Sequence, residues 1–153
     1  MAVTAEIAKR EVVREQIAMR RFEVPDLDRH GGWITDRLLK AYPHRTARDL
    51  AGWLRGIIYS NEFLFLYQEH GVALATVTRA HPLEMKPVVQ EMFVFVKEGH
   101  DREAVAFYDE FVRWGKNQGV DAVMVEAMSD VPHDMIKERM GRLFTRQVVF
   151  ARL

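Results

Sequence analysis

The clearest change of pattern in this chain occurs in residues 92–119, which read MFVFVKEGHDREAVAFYDEFVRWGKNQG. The first five of these residues form an uninterrupted apolar block, which is typical of a strand that is covered on both faces. A short polar turn follows, and apolar residues then recur at helical spacing until the pattern ends at Gly115 or Gly119. The stretch therefore predicts a buried strand, a turn and an amphipathic helix in direct succession.

Helical and strand patterns alternate on both sides of this stretch. Upstream, they predict a helix over 4–16, a strand over 17–24, a helix that Asp26 or Asp28 caps and that Gly31 and Gly32 interrupt, a helix from Thr46, and hairpin strands over 62–68 and 72–78. Downstream, they predict a strand over 120–127, a last helix that Ser129 or Asp130 caps, and a closing strand over 147–151. No linker or internal repeat separates these elements, so we expect one folded domain.

Length and charge exclude several classes of protein. The 153 residues correspond to one domain, and the 22 basic residues balance the 22 acidic ones. A net charge of zero gives no long-range attraction to nucleic acid or to an anionic membrane. The absence of cysteine excludes disulfides and cysteine-based zinc sites, and no apolar run reaches the roughly 18 residues that cross a bilayer. We therefore expect a soluble cytoplasmic protein that contacts no membrane and does not bind nucleic acid directly.

Several catalytic motifs are missing from the sequence. No glycine-rich loop ends in Gly-Lys-Ser or Gly-Lys-Thr, which argues against a nucleotide hydrolase. The two serines, Ser60 and Ser129, do not lie between glycines, which argues against a serine hydrolase. The six histidines are scattered through predicted turns, so the sequence predicts no metal site.

The strand, turn and helix of residues 92–119 resemble the corresponding part of the GNAT superfamily, the acyl-coenzyme A dependent N-acetyltransferases. The order of the predicted elements is similar to that of the family from Ile17 to Leu153. The resemblance implies a mixed α/β fold in which helices flank a central, mostly antiparallel sheet. It leaves residues 1–16 as an N-terminal helical arm before a GNAT-like domain over 17–153.

The resemblance also implies where a cofactor would lie. In this family the pyrophosphate of acetyl-coenzyme A rests on backbone N–H groups where the helix begins after the turn. The cofactor contacts implied for this chain are Val94, Val96, Gly99, His100, Arg102 and Ala104. Only Ala104 matches the small residues of the family's turn, and Asp101 and Glu103 add negative charge beside the pyrophosphate position. The resemblance therefore implies acetyl-coenzyme A as the candidate cofactor. Because the turn departs from the family's pattern, we favour the interpretation that the chain binds no cofactor.

Catalysis in this family uses a base near the strand before the turn and often a tyrosine acid on the last helix. Glu91 fits the position of the base, although a carboxylate at a strand end is more often solvated. Lys137 lies where the tyrosine is expected, and no tyrosine follows Tyr108, which we expect to pack in the core. The usual acid is thus missing.

Two functions fit these residues. The favoured one is a catalytically silent GNAT-fold protein, because the chain resembles the small head-assembly and internal virion proteins of short-tailed bacteriophages. That resemblance implies protein partners in an assembly, contacts through the arm of residues 1–16, and a location in the host cytoplasm or the virion. The alternative is an acetyl-coenzyme A dependent N-acetyltransferase that acts on a small amine or a protein amino group.

Overall fold

The computed structural model of the chain describes residues 19–78, 87–120, 122–125, 129–143 and 149–150. The predicted helical arm lies outside these residues. The strands are β1 (Arg20–Arg21), β2 (Phe63–Gln68), β3 (Gly71–Thr78), β4 (Val88–Val96), β5 (Val123–Val125) and β6 (Val149–Phe150). The helices are α1 (Val24–Ala41), α2 (Ala47–Ile58), α3 (Asp101–Ala104), α4 (Ala106–Asn117) and α5 (His133–Leu143).

The six strands form one sheet in which each strand lies beside the next one along the chain. The pairs from β1 to β4 are antiparallel, and β4 with β5 and β5 with β6 are parallel. This confirms the predicted mixed α/β fold with a mostly antiparallel sheet. None of the helices in the described ranges is long and apolar enough to cross a membrane.

The sheet separates two apolar cores, because successive side chains along a strand point to opposite faces. In β4, Val94 and Val96 join the core that includes residues of α4 and α5, and we call this side the α4 face. Phe93 and Phe95 join the core that includes residues of α1 and α2, which we call the α1 face. The apolar block of the sequence is therefore covered on both sides, as predicted.

One irregularity in β4 decides which face Glu91 occupies. Phe93 pairs with Leu74, but the following pair is Glu91 with Ala75, so Met92 is an extra residue in β4. Such a β-bulge offsets the alternation of side chains between the two faces. Glu91 therefore shares the α4 face with Ala75 instead of lying on the α1 face beside Phe93.

α1 differs from the sequence prediction in its cap and in its continuity. It begins at Val24 and runs without interruption through Gly31 and Gly32. Asp26 lies inside its first turn, where its carboxylate accepts hydrogen bonds from the backbone N–H of Glu23 at 2.8 Å and from Arg20 at 2.7 Å. The Arg20 hydrogen bond is the main cause that lowers the pKa of Asp26. These bonds stabilise the helix start and so help to offset the roughly 1 kcal/mol that a glycine costs inside a helix.

The segment before the last helix also differs from the prediction. α5 begins at His133, so Ser129 and Asp130 lie outside the helix and are not its cap. β5 begins at Val123, three residues after the predicted start at Val120. The two residues that the sequence assigned as candidate caps are therefore available for contacts with β4 and α4.

Candidate functional site

A group of three polar side chains, two of them fully buried and one half-buried, lies on the α4 face at the bulge. Glu91 has no exposed surface, and the hydroxyl of Tyr108 donates a hydrogen bond to its Oε1 at 3.0 Å. The Tyr108 oxygen lies 2.6 Å from Oγ of Ser129. Because the one phenol proton goes to Glu91, Ser129 is the donor in that second bond. We call Glu91, Tyr108 and Ser129 the buried triad.

Burial sets the chemistry of the buried triad. Desolvation, followed by the charge of Glu91, raises the pKa of Tyr108 well above its usual value, so the phenol keeps its proton. A general base must reach the proton that it removes, and Glu91 is fully buried in the middle of β4. The expectation of a solvated Glu91 at a strand end is wrong, whereas the core position expected for Tyr108 is confirmed.

The second half of β4 is paired with the backbone of residues 129–130. Ser129 forms an isolated parallel bridge with Val94, and the N–H of Asp130 donates to the Val94 carbonyl at 2.9 Å. The N–H of Val96 donates in turn to Oδ2 of Asp130 at 2.8 Å. We call this arrangement the Asp130 clamp.

A cation from the opposite face of the sheet holds the carboxylate of the Asp130 clamp. Arg37 of α1 forms a salt bridge with Oδ1 of Asp130, so the two carboxylate oxygens have different partners. The Arg37 guanidinium also lies over the ring of Phe95, 4.6 Å from its centroid. A charge-assisted hydrogen bond to a backbone N–H is stronger than a neutral one, so this geometry fixes Asp130 against β4.

The turn after β4 carries the remaining predicted cofactor contacts. Gly99 has a φ of 86°, which favours glycine, and Ala104 is buried with its N–H bonded to the His100 carbonyl at 3.3 Å. Glu103 lies within hydrogen-bond distance of His100 and of His70, and these contacts lower its pKa, with the His100 bond as the largest cause. Glu103 is therefore an ionised carboxylate at the turn.

These residues do not fit acetyl-coenzyme A in the arrangement that the structure shows. Val96, which was predicted to contact the cofactor, already donates its N–H to a carboxylate. The carboxylate of Glu103 adds negative charge at the turn where a pyrophosphate would have to bind. We therefore derive no catalytic step through this cofactor.

The structure brings together some of the predicted site residues and separates others. Val94 and Val96 lie in the core of the α4 face, while Gly99, His100, Arg102 and Ala104 form the turn beyond the end of β4. A separate cavity of about 380 Å³ lies between β1, β2 and α4, and it is lined by none of these residues. Sequence reasoning missed Arg37 and His70, and it assigned Asp130 to a helix cap because the contacts of all three are long-range.

Comparisons with known proteins give matches at the level of structure. No protein-family model and no curated protein matches the chain significantly in sequence. A probable acetyltransferase superposes with a TM-score of 0.63 and 12% identity over 88% of this chain and 94% of that one. Glucosamine-6-phosphate N-acetyltransferase from Arabidopsis thaliana superposes with a TM-score of 0.59 and 11% identity, over 88% of this chain and 96% of that one. AAC(6′)-Iy, solved with the bisubstrate analogue CoA-S-monomethyl-acetylneamine, superposes with a TM-score of 0.54 and 18% identity, over 88% of this chain and 96% of that one.

Each of these structures is matched over nearly its whole length, so the likeness concerns the complete domain and not one supersecondary unit. At identities this low the comparison shows the fold alone. The chain has the mixed α/β fold of the GNAT acetyltransferases.

Proposed function

We propose that this chain is a catalytically silent GNAT-fold protein that acts through protein–protein contacts as a component of a bacteriophage particle or of its head assembly. The main observation that supports the absence of catalysis in this proposal is the Asp130 clamp. Val96, which the resemblance implies as a cofactor contact, donates its N–H here to Asp130 at 2.8 Å. An acyl group that used this donor would have to displace a carboxylate that is also paired with Arg37.

The buried triad supports the same conclusion. Glu91 occupies the position of the base, yet it is fully buried and bonded to Tyr108. A carboxylate in this position stabilises packing between β4 and α4, since its hydrogen bond joins the two elements. In this proposal the former catalytic position has a structural role.

The assembly part of the proposal rests on the resemblance to small virion proteins and on the charged N-terminal arm of residues 1–16. We assign the partner contacts to the arm, which a GNAT enzyme core would not require.

The second candidate function is an acetyl-coenzyme A dependent N-acetyltransferase that acts on a small amine or a protein amino group. It is favoured by the fold, which the chain shares with acetyltransferases that include one bound to a coenzyme A analogue. It requires the Asp130 clamp to open and Glu91 to become accessible. The two functions therefore differ in one measurable property, the affinity for acetyl-coenzyme A.

Deletion of residues 1–16 tests the assembly role. We expect the shortened chain to melt within about 2 °C of the full chain, because a change below about 0.5 kcal/mol shifts the midpoint of a domain of this size by no more than that. We also expect it to disappear from particles purified from cells in which phage heads assemble, while the full chain is incorporated. The readouts are circular dichroism melting and quantitative blotting of the purified particles.

A matched control for the deletion is the full-length variant Gly52→Ala. Its added Cβ meets no atom of the described residues within 4 Å, so it alters the surface of the domain while residues 1–16 are kept. Equal incorporation of the shortened and full chains would refute the assignment of partner contacts to the arm. A large loss of thermal stability in the shortened chain would instead place the arm in the core.

A further inference from the structure

Two histidines from different turns meet beyond the end of β4. The imidazole rings of His70 and His100 are stacked, with centroids 3.6 Å apart and planes inclined by 15°. The carboxylate of Glu103 lies against the same edge of both rings. Two of the histidines that are scattered along the sequence therefore meet in space.

From this geometry we propose that His70, His100 and Glu103 form a binding site for one divalent transition-metal ion, with Zn²⁺ as the fitting example. One ligand atom from each residue lies within 4.8 Å of the other two. Nδ1 of His70 is 3.2 Å from Oε2 of Glu103, and Nδ1 of His100 is 3.1 Å from Oε1. Two atoms that each lie about 2.1 Å from a tetrahedral zinc ion are about 3.4 Å apart, so the two nitrogen–oxygen spacings are close to those of a coordination edge. Because the rings are stacked, one imidazole must rotate about its side-chain bonds before both nitrogens bind the same ion.

The backbone brings the two imidazoles next to each other. His70 belongs to the turn of the β2–β3 hairpin, and its carbonyl accepts a hydrogen bond from the N–H of Lys97 at 2.8 Å. His100 follows Gly99, whose φ of 86° turns the chain back towards the hairpin. Glu103 is in α3, whose Ala104 is buried in the α4 face core. Three ligands from two separate segments, the hairpin turn and the turn that leads into α3, are thus positioned by the sheet and by its core.

The donor set suits the proposed ion. Two imidazole nitrogens and one carboxylate oxygen form the ligand set of zinc sites that keep a fourth position for water. Nitrogen and oxygen donors of this kind also favour transition metals over Mg²⁺ and Ca²⁺, which prefer oxygen ligands alone. The side chains of His70 and Glu103 are 31% and 53% exposed, so an ion can enter from solvent. A bound ion would add positive charge at an acidic turn, and this inference does not depend on the proposed function.

Isothermal titration of the tag-free full chain with ZnCl₂ tests the site. We expect one equivalent of zinc to bind with a micromolar or tighter dissociation constant. His70→Asn and Glu103→Gln are each expected to weaken binding by about tenfold or more, because each removes one ligand. His44→Asn is the matched control, since His44 is an exposed histidine outside the cluster.

Titration with Co²⁺ provides a second readout that depends on ligand geometry. We expect the visible absorption of a four-coordinate cobalt ion in the wild-type chain and in His44→Asn, and its loss in the two ligand variants. Circular dichroism checks that each variant is folded, which we expect because the altered side chains are partly exposed. No saturable zinc binding in the wild-type chain, or equal affinity in all four proteins, would overturn the proposal and leave a hydrogen-bonded cluster only.

Discussion

Tyr108→Phe is expected to lower the free energy of unfolding by about 1–3 kcal/mol, because it removes the donor that bonds a buried carboxylate. Tyr108 and Glu91 are both fully buried, and their hydrogen bond joins α4 to β4 at 3.0 Å. The substitution also removes the phenol oxygen that accepts the Ser129 proton. Chemical denaturation monitored by circular dichroism measures the change.

The control for this prediction is Tyr59→Phe, which removes the same hydroxyl from a residue that is 74% exposed. We expect that variant to stay within about 0.5 kcal/mol of the wild type, as is usual for surface changes. The double variant Glu91→Leu/Tyr108→Phe replaces both partners by apolar groups, and it should recover part of the loss. An equal stability of Tyr108→Phe and Tyr59→Phe would show that the buried triad contributes nothing to the fold.

Asp130→Ala is expected to lower the free energy of unfolding by about 1.5–3 kcal/mol, the range measured for hydrogen bonds to charged groups. It leaves the N–H of Val96 without the carboxylate that accepts its hydrogen bond, and it takes the anion away from Arg37. Amide hydrogen exchange at Val96 should accelerate in the same variant, because that N–H loses its acceptor.

Asp130→Asn separates the two contributions of the Asp130 clamp. The amide oxygen still accepts from Val96, while the charge that attracts Arg37 is gone, so we expect a loss of no more than about 1 kcal/mol, as for partly exposed ion pairs. Asp36→Ala serves as the matched control, since it removes an exposed carboxylate from the residue next to Arg37. If Asp130→Ala and Asp36→Ala had the same stability, the clamp would be a weak surface contact.

The parts of the fold that depend on neighbouring residues could be predicted from the sequence. Thr46 caps the start of α2 at the predicted position, and its hydroxyl accepts a hydrogen bond from the N–H of Asp49 at 3.1 Å. Gly119 has the positive φ expected after a helix end, and the apolar block of β4 is buried on both faces. Capping, left-handed turns and periodicity are local properties, so one sequence is enough to indicate them.

The candidate site could be predicted less well, because it depends on contacts between distant segments. The bulge at Met92 moves Glu91 to the face of Tyr108, and strict alternation of side chains along a strand does not indicate it. Aspartate is a common helix-capping residue, but Asp130 accepts a hydrogen bond from Val96 in β4 instead. The meeting of His70 with His100 depends on how the hairpin turn packs against the turn after β4, which periodicity does not describe.

The most direct test of the silent GNAT fold is calorimetric titration of the full chain with acetyl-coenzyme A up to millimolar concentration. We predict no saturable binding, because the Val96 N–H is held by Asp130 and the turn carries the ionised carboxylate of Glu103. Binding with a micromolar dissociation constant would contradict the proposal. It would mean that the Asp130 clamp opens for the cofactor, and it would restore Glu91 as the candidate base of an N-acetyltransferase.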